Sequence, residues 1–308
     1  MKRFAFIFVL ATASFMAFAQ GTSMDFIRSD RNPATIGTAG AGYASLDMGT
    51  AFAAFGNPAA VSLAGHSLDV AGTFGMAPSG DSRSMTYGGG ASYRFGAFGV
   101  SAAFIRSNYP QVAFFSDGGG ASGKYSPNDM TAALGLSYAI GDFLSIGLLA
   151  RYASAALDAK TTLSSFSGDA AVMYRHDALT VSAGVAGLGP QVASVSNKSY
   201  PLPASARLGA AYKLGLGDFA VDFMADGDYY FSGNFSVAGG VQGSWRDMVF
   251  VRTGYRYSSV GQNFSAAPVP TNFSAGLGVK LFGVGINVAY VATGGAAGAF
   301  VAGLGYSF

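Results

Sequence analysis

From about His66 to the end of the chain, apolar residues occupy alternate positions over stretches of roughly 9–11 residues, the length of a strand crossing a bilayer. Three stretches are especially clear: Met130-Ala132-Leu134-Leu136-Tyr138-Ile140, Leu144-Ile146-Leu148-Ala150-Tyr152 and Phe273-Ala275-Leu277-Val279-Leu281. Positions between them hold Gly, Ser, Ala or an occasional charge. Side chains alternate faces along a strand, so each stretch predicts a strand with one oily face. Fourteen such segments are predicted, at about 67–76, 84–95, 98–106, 130–140, 143–156, 166–175, 179–187, 204–214, 219–226, 235–245, 249–258, 271–281, 284–293 and 299–308.

The connections alternate as well. Gly96-Ala97, Gly141-Asp142, His176–Ala178, Gly215–Asp218, Arg246–Met248 and Phe282-Gly283 are short, whereas Ser107–Asp129, Leu188–Pro203 and Ser259–Pro270 are long and rich in Gly, Ser, Asn and Pro. An antiparallel membrane barrel has short turns at one rim and long loops at the other, and an even strand number keeps these two sets apart. No stretch beyond the N-terminal twenty residues approaches 18 apolar residues. Helical spanning is therefore excluded, which leaves a closed barrel. The fold expected is all-β, a 14-stranded antiparallel transmembrane barrel over 66–308.

Parity sorts the polar residues. Arg94, Arg151, Arg207, Asp222, Gln242, Arg252 and Arg256 take the face opposite their strand's apolar residues and are expected to point into the lumen. On the lipid face near the midplane an Arg would cost ~2–4 kcal/mol. Arg106 breaks parity after Phe104, which predicts a strand end or a bulge. In the final strand, Phe300, Leu304, Tyr306 and Phe308 share the apolar face, as a closing strand and assembly signal for the barrel-assembly machinery would.

The N-terminal part departs from the strand pattern. Lys2 and Arg3 precede an apolar run to Phe15, and Ala17-Phe18-Ala19 fits a small-x-small cleavage site, so residues 1–19 read as a signal peptide cleaved after Ala19. Residues 20–65 combine a small-residue stretch broken by Gly37, Gly40 and Gly42 with Leu46, Phe52, Phe55 and Asn57-Pro58-Ala59-Ala60. A segment this apolar is expected to fold into the lumen as a plug. Asn57 would cap a short helix and Pro58 would occupy its first turn. An extra strand preceded by a disordered leader is the alternative.

Composition narrows the chemistry. All 16 acidic residues are Asp, which favours turns over helices, and 45 Gly accompany 26 Phe and 16 Tyr. The tyrosines at 138, 152, 174, 212, 255, 257 and 290 suit interfacial girdles. Removing Lys2 and Arg3 takes the net charge from +2 to about 0, with no footprint for nucleic acid. There is no cysteine, hence no disulfide and no thiolate site. The two histidines, His66 and His176, both fall at short-turn ends, so no catalytic constellation, metal site or cofactor is expected. Asp226 and Asp228 are assigned to an external loop, as a hydrophilic tip or, secondarily, a weak Ca²⁺ site. The three glycines at 37–42 lack the spacing and βαβ setting of a dinucleotide site. Sparse lumenal charge argues against a general aqueous porin.

Several stretches occur in a familiar order: "GAGYASLDMGTAFAAFGNPAAVSLA" before Gly65, "GVAGLGP" (Gly184–Pro190), "LPASARLGAAY" (Leu202–Tyr212), "VRTGYRY" (Val251–Tyr257) and "SAGLGV" (Ser274–Val279). Together they resemble the PorV/PorQ-like proteins of the Bacteroidota, within the wider superfamily of FadL-type transporters. The resemblance implies a 14-stranded outer-membrane barrel filled by its N-terminal segment. It also implies a non-enzymatic role as an accessory in type IX-like protein export, partnering a secretion translocon or cargo protein. The alternative it implies is a FadL-like channel for hydrophobic small molecules such as long-chain fatty acids.

Overall fold

The computed structural model of the chain describes residues 22–29, 32–79, 82–115, 121–158, 161–193, 198–259, 272–292 and 298–308. The expected signal peptide, and most of the Ser259–Pro270 connection, lie outside these residues.

Period-two alternation, interrupted by tight turns, produces strands that pair with their antiparallel neighbours. They are β1 (Leu68–Ser79), β2 (Ser82–Phe95), β3 (Phe98–Asn108), β4 (Val112–Phe115), β5 (Ala121–Tyr125), β6 (Asn128–Ile140), β7 (Leu144–Ala156), β8 (Thr162–His176) and β9 (Leu179–Leu188). There follow β10 (Val192–Ala193), β11 (Ser199–Tyr200), β12 (Ser205–Leu216), β13 (Phe219–Tyr230), β14 (Phe235–Trp245), β15 (Val249–Ser258), β16 (Phe273–Leu281), β17 (Val284–Val291) and β18 (Ala299–Ser307). Fourteen of them form one closed barrel in the order β1-β18-β17-β16-β15-β14-β13-β12-β9-β8-β7-β6-β3-β2. β18 seals against β1 in continuous register from Asp69↔Ser307 to Met76↔Phe300.

Each barrel strand overlaps one of the fourteen predicted segments. The largest extensions are at the long-loop rim, where β8 begins at Thr162 and β13 runs on to Tyr230. The connections between β3 and β6 and between β9 and β12 carry the hairpins β4–β5 and β10–β11. No bulge occurs at Arg106: register is unbroken on both sides. Arg106 stands on the outward face two residues from the end of β3, where its guanidinium donates to Asn108 Oδ1 and Asn128 Oδ1. At the opposite rim, Phe282 and Gly283 both have positive φ (52° and 83°), as a two-residue mirror-type hairpin requires.

The two wall faces differ in kind. Along β6 and β7, Leu134, Leu136 and Leu148 are 64–66% exposed while their chain neighbours Ala133 and Leu149 are at most 5% exposed. An exterior of Leu, Val and aromatic side chains is stable against hydrocarbon rather than water. Among the described residues, no helix is long and apolar enough to cross a membrane.

Residues 22–29 and 32–64 run through this cylinder. A 3-10 turn at Asp25–Arg28 sits at the long-loop rim, packed with Val192 and Leu202. α1 (Pro33–Gly37) lies against β15–β18, and α2 (Ala60–Leu63) against β2, β3, β6 and β7. The apolar interior forms between segment and wall: Phe52 with Ala103, Ile105 and Leu149, and Tyr43 and Leu63 with Ala139 and Met173. Inward-facing glycines bring the two backbones together. A Cβ at Gly147 would collide with the Pro58–Ala59 peptide, and one at Gly254 with the Thr38–Ala39 peptide. Gly90, Gly240 and Gly303 meet Ala51, Thr38 and Pro33 in the same way, so the contact runs around much of the circumference.

Gly147→Val should therefore push the inner segment off β7. Overpacking of this sort costs ~1–3 kcal/mol, and the thermal unfolding of the detergent-solubilised protein should fall accordingly. Unchanged unfolding with an unchanged proteolytic pattern would show that the contact at Gly147 is not tight.

Candidate functional site: the occupied lumen

Two copies of one local device shape the inner segment. At Asn32-Pro33-Ala34 and Asn57-Pro58-Ala59, the asparagine Oδ1 accepts the N–H of the residue two further on, at 3.0 Å in both cases. Each side-chain amide then reaches across the segment, Asn32 Nδ2 donating to the Met48 carbonyl (2.8 Å) and Asn57 Nδ2 to the Tyr43 carbonyl (2.7 Å). Proline fixes φ for the turn that follows. One change from expectation is that α2 starts at Ala60, after the Asn57–Ala59 turn, while Asn57 also donates to Ser182 Oγ on β9 (2.7 Å). The first copy, capping α1, carries the same tripeptide, which was the available signal for a second turn.

Buried carboxylates tie the segment to the wall. Asp226 Oδ2 on β13 accepts the N–H groups of Gly42 (2.8 Å) and Tyr43 (2.9 Å). Asp69 Oδ2 on β1 accepts the Thr50 N–H (2.6 Å), while its Oδ1 accepts from Ser307 of β18 (2.8 Å). Hydrogen bonds to a buried charge are about twice as strong as neutral ones. Arg256 Nε donates to the Ala39 carbonyl (2.8 Å) and its Nη1 pairs with Asp228 (3.1 Å), which also binds Arg207 (2.8 Å). The Arg207 guanidinium lies 4.4 Å over the Tyr43 ring, whose phenol is pushed up to about 12 by burial.

Asp226 and Asp228 are thus not in an external loop. β13 continues through both to Tyr230, and they face inward, only 4% and 6% exposed. Their short spacing of two puts both on one face of an extended strand. Asp228 is committed to arginines, and among the described residues no three His, Cys, Asp or Glu are grouped to hold a metal. That removes the Ca²⁺ reading.

The remaining lumen-facing residues form pairs and chains. Arg151 and Asp169 make a buried ion pair at 2.8 Å. Asp222, Gln242, Arg252 and Asn287 are linked in series by bonds of 2.8, 2.6 and 2.7 Å across β13–β17. Arg94 points inward from β2 with its Nε buried. Of the N-terminal residues singled out from sequence, Phe52, Asn57, Pro58 and Ala59 are buried, Leu46 packs on the Tyr43 cluster, and Phe55 is half-buried. Phe300, Leu304 and Tyr306 lie on the outer face of β18 and Phe308 is 73% exposed, its carbonyl accepting from the Ser67 and Leu68 N–H groups. His66 and His176 are at the short-turn rim, beside Lys280 and Asp177.

A cavity lies at each end of the segment among the described residues. The outer one, about 650 Å³, opens among long-loop ends and is lined by Ile36, Phe55, Arg151, Arg207, Arg256 and Val301. The inner one, about 630 Å³, lies at the short-turn end beside Pro33, Phe52, Asp69, Lys213, Arg252 and Gly303. The segment stands between them.

The sequence matches no protein-family profile, and no curated relative matches it. Solved structures do share its fold. The CymD monoaromatic hydrocarbon channel aligns with TM-score 0.62 at 13% identity, over 90% of this chain and 97% of that one. The Pseudomonas putida toluene transporter TodX gives 0.60 at 12%, over 90% and 97%. A Pseudomonas aeruginosa FadL homologue gives 0.58 at 12%, over 91% and 98%. The chain therefore shares the barrel fold of these three proteins over almost the whole length of each.

Asp226→Ala would leave the buried Tyr43 and part-buried Gly42 N–H groups without their acceptor, a loss of at most roughly 2–6 kcal/mol for the pair. Amide exchange at 42 and 43 should accelerate and proteolysis of the segment should follow. Exchange at the wild-type rate would show that Asp226 does not hold the segment.

Proposed function

We propose that this protein is a non-enzymatic outer-membrane channel for hydrophobic small molecules, with the segment expected at 20–65 acting as a plug between an outer and an inner cavity. The observation that carries the reading is the pair of cavities on either side of a segment tied to the wall at many points. A barrel so filled does not conduct as an open aqueous pore, yet it offers a binding volume at each end. Cavities near 650 Å³ lie in the range of small-molecule sites. The neighbours described as a toluene transporter and a monoaromatic hydrocarbon channel support the same direction. The signal peptide expected from the sequence and the apolar barrel exterior support an outer-membrane location.

The export-partner expectation, based on the order of short sequence stretches, gains no support from the comparisons, whose weight falls on its alternative.

The test is uptake of labelled toluene and oleate by a Gram-negative host stripped of its own hydrophobic-solute channels. Expression of this chain should raise the initial rate for at least one probe, while planar-bilayer ion conductance stays near zero. Uptake equal to the empty-vector strain for both probes would defeat the proposal, as would large steady conductance.

A further inference from the structure

The lumen wall has two chemically distinct sides. Strands β12–β15 carry inward charge at both ends, including Arg207, Asp222, Asp226, Asp228, Arg252 and Arg256. β17 and β18 contain no charged residue at all over Val284–Val291 and Ala299–Ser307. Their inward positions include Ala289, Val291, Ala299, Val301 and Gly303, and the adjoining inward positions of β1 above Asp69 are Ala71, Thr73 and Gly75. An uncharged stripe thus follows the barrel's closing seam.

The two cavities approach each other most closely on that stripe. On β18, Val301 lines the outer cavity and Gly303 the inner one, two residues or roughly 7 Å apart along the strand. On the charged side the corresponding pairs are Arg256 and Arg252 on β15, and Asp228 and Asp222 on β13. Those are four and six residues apart, roughly 13 and 20 Å. The plug contributes apolar side chains to both sides of the thin step: Ile36 and Phe55 face the outer cavity, Pro33 and Phe52 the inner. Pro33 packs onto Gly303 closely enough that a Cβ there would stand 2.7 Å from Pro33 Cγ.

We infer that a hydrophobic solute passes between the cavities along the β17–β18–β1 stripe, over the Val301–Gly303 step, and that Val301 sets the size it admits. This rests on the channel reading above. An apolar solute gains nothing from a charged wall, and displacing the hydrogen-bond partners those groups hold costs free energy. On the stripe it meets apolar or small groups except at Asn287, which Arg252 engages at the inner end, and at the step it must part the packing of Pro33 against β18.

The chain has no cysteine, so single thiols are unambiguous. Val301→Cys and, as comparator, Ala302→Cys on the lipid face are treated in whole cells with a benzyl methanethiosulfonate reagent. Toluene uptake by labelled V301C should fall about tenfold, the scale of a bulky misfit in an apolar passage, and recover when reductant removes the benzyl group. Labelled A302C should keep its rate. Val301→Ala should raise uptake of biphenyl relative to toluene. Wild-type uptake by labelled V301C, or a thiol at 301 that fails to react in protein shown to be folded by heat-modifiable migration, would overturn the route. Absence of toluene and oleate uptake by the wild-type chain would instead remove the channel reading itself, so the two failures are distinguishable.

Discussion

A backbone N–H or carbonyl left unpaired in hydrocarbon costs several kcal/mol, and an open sheet edge would expose a whole row of them. Pairing β18 with β1 removes that row, and the rest of the architecture follows from the closure. Every strand then has one face in lipid and one in the lumen. The outward residues are large and apolar, whereas the inward ones have to leave room for forty or so residues of the same chain. The many glycines, serines and alanines of the inner face follow from that second demand. At Gly147 and Gly254 even a methyl group would collide with backbone, so these positions are set by the approach of the segment rather than by strand propensity, which glycine lowers.

A segment packed against a wall of small residues buries little apolar area per contact, so polar attachments matter more than in an ordinary core. Its irregular backbone would otherwise leave N–H groups unsatisfied in the lumen. The wall answers with carboxylates aimed at particular amides, Asp226 at Gly42 and Tyr43 and Asp69 at Thr50. The two Asn-Pro-Ala turns supply the complementary internal braces. Asp226 and Asp69 rest on N–H and hydroxyl donors, whereas other buried charges in the wall are matched by opposite charge. Asp228 lies between Arg207 and Arg256, and Asp169 faces Arg151.

Period-two alternation identified all fourteen wall strands, because a lipid face and a lumen face impose opposite preferences on successive residues. It failed where that opposition fades. β4, β5, β10 and β11 lie in connections between wall strands, and no alternation marks them. The outer part of β13 reads D-G-D-Y-Y, which resembles a polar loop until Asp228 is found between Arg207 on β12 and Arg256 on β15, and Asp226 on the amides of the inner segment. Arg106 looked like a break in parity because lipid-face arginines are costly at the midplane. Near a strand end its guanidinium finds two asparagine oxygens and no irregularity is needed. The lumenal attachments were legible only as residue types with a parity: pairings such as Asp226 with Gly42, separated by 184 positions, leave no local trace.

The same division of labour bears on how a sealed barrel could still pass a solute. Holding a plug and passing an apolar molecule place opposite demands on a wall, since the first wants hydrogen-bonding groups fixed on the segment and the second wants none. A uniform lumen would have to compromise. Here the polar attachments through Asp226, Arg256 and Asn57 fall on β13, β15 and β9, with Asp69 on β1 and Ser274 on β16 holding Thr50 and Gly37, and β18 meets α1 through the packing of Pro33 on Gly303. The segment is thereby held by polar groups around most of the wall, and β17–β18 face α1 with a surface on which contacts can be exchanged at little electrostatic cost. Opening along that side would part apolar packing worth roughly 25 cal/mol per Å² and leave the buried ion pairs in place, and an entering hydrophobic solute would restore much of the same burial.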